Sequence, residues 1–260
     1  MGADRLIHDT AIISPRAVLG NNVSVGPFAV IGPDVEVGDD TEIGPHVLID
    51  KDTVVGRGCR IFKGAVLGTD PQDLKYRMEK TFLLIGDGTQ IREYATLHRG
   101  AKEGSETSVG ANCFIMAYAH VAHDCRIGDG VILANSVNMA GHVIIEDYVV
   151  IGGVTPIHQF VRIGKFAFIG GGSRVNKDIP PYVRAVGNPL SLSGLNSVGL
   201  LRHGFSEEIR LELKRAYKIF FRSDLDISRA VIKAREDLRL FDEVNYFIDF
   251  IVNSERGVTL

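Results

Sequence analysis

The run Ile127-Gly128-Asp129-Gly130-Val131-Ile132-Leu133-Ala134-Asn135-Ser136-Val137-Asn138-Met139-Ala140-Gly141-His142-Val143-Ile144-Ile145 carries an aliphatic residue at every sixth position: Ile127, Leu133, Met139, Ile145. The series extends back through Val121, Ile115 and Val109, and forward through Ile151, Ile157, Ile163, Ile169 and Val175. An earlier block runs from Ile7 to Leu67, and Ile85, Ile91 and Leu97 bridge the two. Glycine often follows, as in Leu19-Gly20, Val25-Gly26 and Ile163-Gly164, where a corner needs an unusual backbone angle or a close approach. Period six suits neither a helix nor a plain strand. It marks a solenoid of short strands and corners, with roughly 18 residues closing one triangular coil and the aliphatics stacking inward. A parallel β-helix is the expected fold.

The period breaks twice. One insertion spans residues 69–84 and includes Pro71-Gln72-Asp73-Leu74-Lys75-Tyr76, too polar for an interior; the other covers residues 100–108, rich in Gly, Ser and charge. Both are expected to project as loops. The repeat fades at Asp178-Ile179-Pro180-Pro181-Tyr182, and the chain divides into a β-helix over 1–190 and an α-helical unit over 191–260. Ser206 is placed to cap one helix, Asp226 or Ser228 a second, and Glu243 to Asn253 supplies a third. These helices should close one end of the coil and shield its last aliphatics.

Among 260 residues, 45% are hydrophobic and the formal charge is −3, which suits a folded protein without a general nucleic-acid signature. No apolar run approaches the length of a membrane span, and no signal-peptide core follows the first charges, so the expected location is the cytoplasm. Cys59, Cys113 and Cys125 have no paired spacing and read as reduced thiols.

Five of the eight histidines lie between residues 98 and 158, none at a core aliphatic position. In Ala119-His120-Val121-Ala122-His123-Asp124 two fall close together, and His142 lies 19 residues after His123, almost one coil further on. Such a cluster suits a metal site, as in hexapeptide carbonic anhydrases, or one imidazole acting as a base for acyl transfer while the others hold substrate.

The ordered set Pro71-Gln72-Asp73-Leu74-Lys75-Tyr76, Ile91-Arg92-Glu93, Thr96-Leu97-His98-Arg99-Gly100, Ala119-His120-Val121-Ala122-His123-Asp124-Cys125, Ala140-Gly141-His142, Val154-Thr155-Pro156-Ile157-His158-Gln159-Phe160 and Arg202-His203-Gly204-Phe205-Ser206 resembles the UDP-N-acetylglucosamine O-acyltransferases of lipid A synthesis. The resemblance spans nearly the whole chain. It implies an all-β left-handed parallel β-helix with an α-helical C-terminal cap, assembled as a homotrimer with sites between subunits. It further implies transfer of an R-3-hydroxyacyl group from phosphopantetheinylated acyl carrier protein to the glucosamine 3-hydroxyl of UDP-N-acetylglucosamine, with no metal or other cofactor. By the same resemblance, His123 is the general base and the Gly141 amide the oxyanion donor. Gln72, Asp73, Lys75, His120, His142, His158, Gln159, Asn196 and Arg202 bind substrate, and Phe168, Gly171 and Pro189 shape the acyl pocket. Gly171 leaves room for a longer chain. Lys165, Arg162, Lys177, Arg174, Lys214, Arg215 and Lys218 could steer an acidic carrier protein.

Val198 and His203 stand where well-known members carry an acidic residue and an arginine, so contacts to the uridine diphosphate are expected to differ. Competing functions are an N-acyltransferase acting on the 3-amino sugar, an acetyl-CoA sugar transferase, and a noncatalytic scaffold for nucleotide or carrier protein. A base opposite an oxyanion donor argues against the scaffold.

Overall fold

The computed structural model describes residues 7–260. Strands of mostly two residues alternate among three faces and form sheets of eight, eight and ten strands among the described residues, parallel throughout except for the last strand of the third. The first face begins with Ile12–Ile13, the second with Val18–Leu19 and the third with Ser24–Val25. Each hexapeptide aliphatic points inward and stacks on its counterpart in the next coil. On the first face the stack reads Ile13, Ile31, Ile49, Leu67, Leu97, Val121, Met139, Ile157 and Val175. Nearly all of these side chains are excluded from water, and each contributes about 1.5–3 kcal/mol of burial.

A second inward position lies four residues after each aliphatic and holds small side chains such as Ala29, Val35, Val47, Ala65 and Val131. Cys59, Cys113 and Cys125 occupy it as buried free thiols. Burial pushes Cys113 up to about 11 and Cys125 up to about 12, which leaves them protonated filler. Thr41 and Thr89 fill the same position and return their hydroxyls to the carbonyls of Gly56 and Gly110.

The corners divide the two roles expected of glycine. The glycine after an aliphatic answers close approach: a β-carbon at Gly38 would lie 2.7 Å from the Arg57 amide nitrogen of the next coil. Positive φ falls two residues later and is carried mostly by other residues, among them Asn22, Asp40, His46, Asp124, His142 and Phe160. Aromatic members of these columns stack between coils, as Tyr94 does on Tyr118 at 5.4 Å and Tyr148 on Phe166 at 5.0 Å.

Both insertions are shorter than the sequence suggests. Thr69 belongs to the strand Val66–Thr69 and Phe82–Ile85 is a strand, so residues 70–81 project rather than 69–84. Glu106–Val109 pairs with Phe82–Ile85, which confines the second projection to about residues 100–105. In each case sheet pairing reaches past the break in the hydrophobic period.

Four helices follow the coil: α1 Ser197–Arg202, α2 Glu207–Phe221, α3 Ile227–Asp237 and α4 Asp242–Val252. The Ser206 and Asp226 side chains cap α2 and α3 by accepting from the Ile209 and Arg229 amides. Phe247, Phe250, Ile251, Leu213 and Phe220 join the same apolar core as the last coils. The helices do not close the end alone. Val183–Val186 extends the third face, Ser191–Leu195 pairs antiparallel beyond it, and the C-terminal tail bridges through Val258 to Asp178. Buried Asp178 accepts from the Arg162 amide and the Ser254 hydroxyl, tying that tail to the coil.

Candidate active site

The two projecting segments interrupt the same corner, the one joining the first face to the second. Residues 70–81 link Val66–Thr69 to Phe82–Ile85, and residues 100–105 link Thr96–His98 to Glu106–Val109. His98 ends a first-face strand, and His123, Gly141, His142, His158 and Gln159 follow such strands, so all line that corner in successive coils. His120 stands beside them on the strand His120–Val121, facing outward. An open cleft of about 510 Å³ lies here against Ser105, Asp124, Arg126, His142 and Phe160.

His123 is nine-tenths buried, unlike an ordinary corner side chain. Its Nδ1 lies 2.7 Å from Asp124 Oδ2. A carboxylate only accepts, so Nδ1 carries a proton here and Nε2 is the nitrogen that bears the lone pair whenever the ring is neutral. Asp124 is itself fixed: Ser105 Oγ donates to it at 2.6 Å, and the Ala101 amide approaches at 3.3 Å. Its own amide donates to Thr107 Oγ1 at 2.8 Å. Burial acts to raise the Asp124 carboxyl, but the hydrogen bonds from His123 and Ser105 hold it below the usual carboxylate range. Ala101, Ser105 and Thr107 had no assigned role in the sequence. The available signal was that the second insertion breaks the period just one coil before His123.

Gly141 lies directly over the imidazole. A β-carbon there would fall 2.6 Å from His123 Cε1 and 2.7 Å from Nε2. Its amide donates to no group among the described residues, whereas the equivalent amides at the next corner, Asn21, Arg57, Ala111 and Asp129, each donate to an aspartate. A buried glycine with an unengaged N–H thus packs against the His123 ring. That pairing can serve proton transfer and oxyanion stabilisation together.

The neighbouring rings are kept neutral. His142 stacks on Phe160 at 4.9 Å, meets His123 edge-on at 5.1 Å, and places Nε2 3.7 Å from Asp124. Burial lowers its pKa, with Asp124 and then Asp73 of the first insertion pulling the other way. His120 bonds Thr96 Oγ1 at 2.8 Å, and burial, then His98, pushes its pKa down to about 4. His98 is likewise lowered by burial, against the Asp70 carbonyl that takes its Nδ1–H at 2.7 Å.

These rings bind protons more weakly folded than unfolded, so their contribution to stability is complete above pH ~6.5 and is lost as pH falls toward 4. Between about pH 7.5 and 4.5 the His120 ring alone should remove about 2 kcal/mol, allowing for solvent at a half-buried group. Urea midpoints at the two pH values measure the loss, and His120→Gln should visibly flatten it.

Of the other expected site residues, those on the first projecting loop and His158 with Gln159 belong to this corner, whereas the rest lie at other corners of the same chain. Gln72 and Lys75 lie exposed on the first projecting loop, and exposed His158 places Nδ1 3.0 Å from the Gln159 carbonyl oxygen. Asn196 caps α1 instead: its Oδ1 accepts from the Gly199 amide and its Nδ2 donates to the Phe166 carbonyl at the second-to-third corner. His203 packs on Tyr148 and Phe166 at that same corner, and Arg202 is exposed beside it. Phe168 faces outward from the third face, Gly171 follows it at the third-to-first corner, and Pro189 lies in the hairpin beyond.

Residues 16–51 and 106–141 match the family model described as bacterial transferase hexapeptide (six repeats). The coil and its imidazole corner therefore define a hexapeptide-repeat transferase. Residues 178–259 match the model described as domain 2 of Udp N-acetylglucosamine O-acyltransferase. Proteins named acyl-[acyl-carrier-protein]–UDP-N-acetylglucosamine O-acyltransferase from Pseudomonas syringae pv. syringae and Herminiimonas arsenicoxydans are 50% and 46% identical to this chain, each match covering 97% of it and 98% of the relative. The crystal structure of a UDP-N-acetylglucosamine acyltransferase from Bacteroides fragilis superposes with a TM-score of 0.95 at 42% identity, covering 97% of this chain and 99% of that one. The chain belongs to the UDP-N-acetylglucosamine O-acyltransferase family, and its fold is the left-handed parallel β-helix with a helical cap.

Proposed function

We propose that this chain is the acyl-[acyl-carrier-protein]–UDP-N-acetylglucosamine O-acyltransferase of the first step of lipid A biosynthesis, with His123 as its general base. The observation carrying this assignment is the Asp124-held imidazole packed against the backbone of Gly141, whose amide is left unengaged. In the reaction, the glucosamine 3-hydroxyl attacks the thioester carbonyl of an R-3-hydroxyacyl chain on the phosphopantetheine of acyl carrier protein. His123 Nε2 takes the hydroxyl proton as the carbon–oxygen bond forms, and the Gly141 N–H stabilises the oxyanion. Collapse breaks the carbon–sulfur bond, and the imidazolium returns the proton to the leaving thiolate. Asp124 holds the tautomer and stabilises the charged ring without being protonated. No acyl-enzyme forms.

His120 and His142, both neutral, accept or donate single hydrogen bonds to the substrates, while Gln72, Asp73 and Lys75 hold the sugar nucleotide. The dispersal of Asn196, Arg202, Phe168, Gly171 and Pro189 over other corners supports a homotrimer in which neighbouring copies complete each site. His158 and Gln159 then flank the nucleotide and carrier entry, and Gly171 leaves depth for a longer chain. No helix is long and apolar enough to cross a membrane among the described residues, and the cytoplasm is the proposed location.

His123, Asp124 and His142 bring ligand atoms within 4.8 Å of one another. The 2.7 Å contact between Nδ1 and Oδ2 is a shared-proton distance, which favours the metal-free reading. Mass spectrometry of product made from UDP-N-acetylglucosamine and hydroxyacyl carrier protein should show an ester at the 3-hydroxyl, in undiminished yield after exhaustive chelation. Loss of turnover on chelation, restored by zinc, contradicts the metal-free base.

A further inference from the structure

We infer that Arg99 is a positioning residue for acceptor binding: one buried guanidinium clamps both ends of the loop segment that carries Gln72, Asp73 and Lys75. This deepens the assignment of that loop to the sugar nucleotide and rests on it. The Arg99 side chain is fully buried, with Asp50 Oδ2 3.5 Å from Nη1. Nη1 also donates to the Gly68 carbonyl oxygen on the last coil before the loop. Nη2 donates to Asp70 Oδ1 at the loop entry and lies 3.3 Å from the Tyr76 hydroxyl beyond it.

The three nucleotide contacts are thereby bracketed. Asp70 stands before them, Tyr76 after them, and both meet the same nitrogen. Between these anchors the segment folds on itself: the Lys75 amide donates to Asp73 Oδ1 at 2.9 Å and the Tyr76 amide to the Asp73 carbonyl at 3.1 Å. Tyr76 passes the constraint onward, donating its hydroxyl proton to the Glu79 carbonyl at 2.9 Å. The backbone beside Arg99 adds to the hold, with its own amide donating to the Thr69 carbonyl and the Gly100 amide to the Phe82 carbonyl, one at each end of the projection.

Stability alone gives a weak reason for this arrangement, since a well-packed apolar side chain often replaces a buried ion pair without loss. The planar fork supplies something else. It fixes two acceptors at a set spacing and angle, which a lysine point charge does not reproduce. Oriented loop residues then meet the acceptor without first paying ordering entropy.

Steady-state kinetics on Tyr76→Phe and Arg99→Lys test the inference. Tyr76→Phe removes one anchor from a partly exposed ring and keeps the coil intact. KM for UDP-N-acetylglucosamine should rise about threefold in Tyr76→Phe and tenfold or more in Arg99→Lys. KM for acyl carrier protein, and kcat at saturating sugar, should stay within about twofold. A purely structural role would lower the active fraction, reducing kcat with both KM values unchanged. Transfer to UDP-N-acetylglucosamine by the unaltered enzyme tests the underlying assignment separately. With that transfer intact, an unchanged sugar KM in Tyr76→Phe overturns the inference even if Arg99→Lys fails to fold.

Discussion

Replacing His123 with alanine should lower turnover by about a hundredfold to ten-thousandfold while both substrates still bind. The ring is held by Asp124, which lines the cleft, and its removal takes away the imidazole packed against Gly141. A hydroxyl is a poor nucleophile without a base, so the chemical step carries the loss and kcat falls with little change in KM. His123→Gln fills the space of the ring without its basicity and should be equally impaired, which separates chemistry from packing. Titration of each variant with UDP-N-acetylglucosamine by calorimetry, alongside single-turnover rates, distinguishes the two. Turnover within a few-fold of the unaltered protein would remove His123 from the role of base.

Gly141→Ala should be the second most damaging change, lowering kcat by about a hundredfold or more. Backbone strain is not the reason, because Gly141 does not adopt positive φ. The new β-carbon would overlap the imidazole, and Asp124 leaves that ring no easy retreat. The thioester would also lose its closest approach to the amide. The same substitution at Gly58, at the second-to-third corner, where φ is +60° and nothing lies within 4 Å of the added carbon, should strain a corner without touching turnover. Near-normal kcat in Gly141→Ala would show that the ring and amide are not set for the same reacting carbon.

The hydrophobic period revealed the coil because one buried position repeats in every hexapeptide and tolerates only aliphatics. The second buried position stayed hidden: Ala, Val, Thr and Cys all fit it, so no single class of residue recurs. This is also why the three cysteines looked scattered. Which corner a residue occupies was harder to read. Leu67 and Leu97 are register partners 30 residues apart, and Leu97 and Val121 are partners 24 apart, so counting by eighteens fails across both insertions. Only the observed pairing shows that both insertions and the histidine cluster share a corner. Arg99 gave no warning at all, since a charged residue two places beyond a core leucine reads as solvent-exposed. The capping role of Asn196 was equally hidden, since the six-residue helix it starts is too short to show a period.

The most direct measurement is a crystal structure of the unaltered protein with UDP-N-acetylglucosamine bound. The glucosamine 3-hydroxyl should lie about 3 Å from His123 Nε2, with Nδ1 still on Asp124 and the loop from Asp70 to Tyr76 closed over the nucleotide. A sugar seated at another corner, or an imidazole turned from the hydroxyl and bound to a required metal ion, would contradict the mechanism.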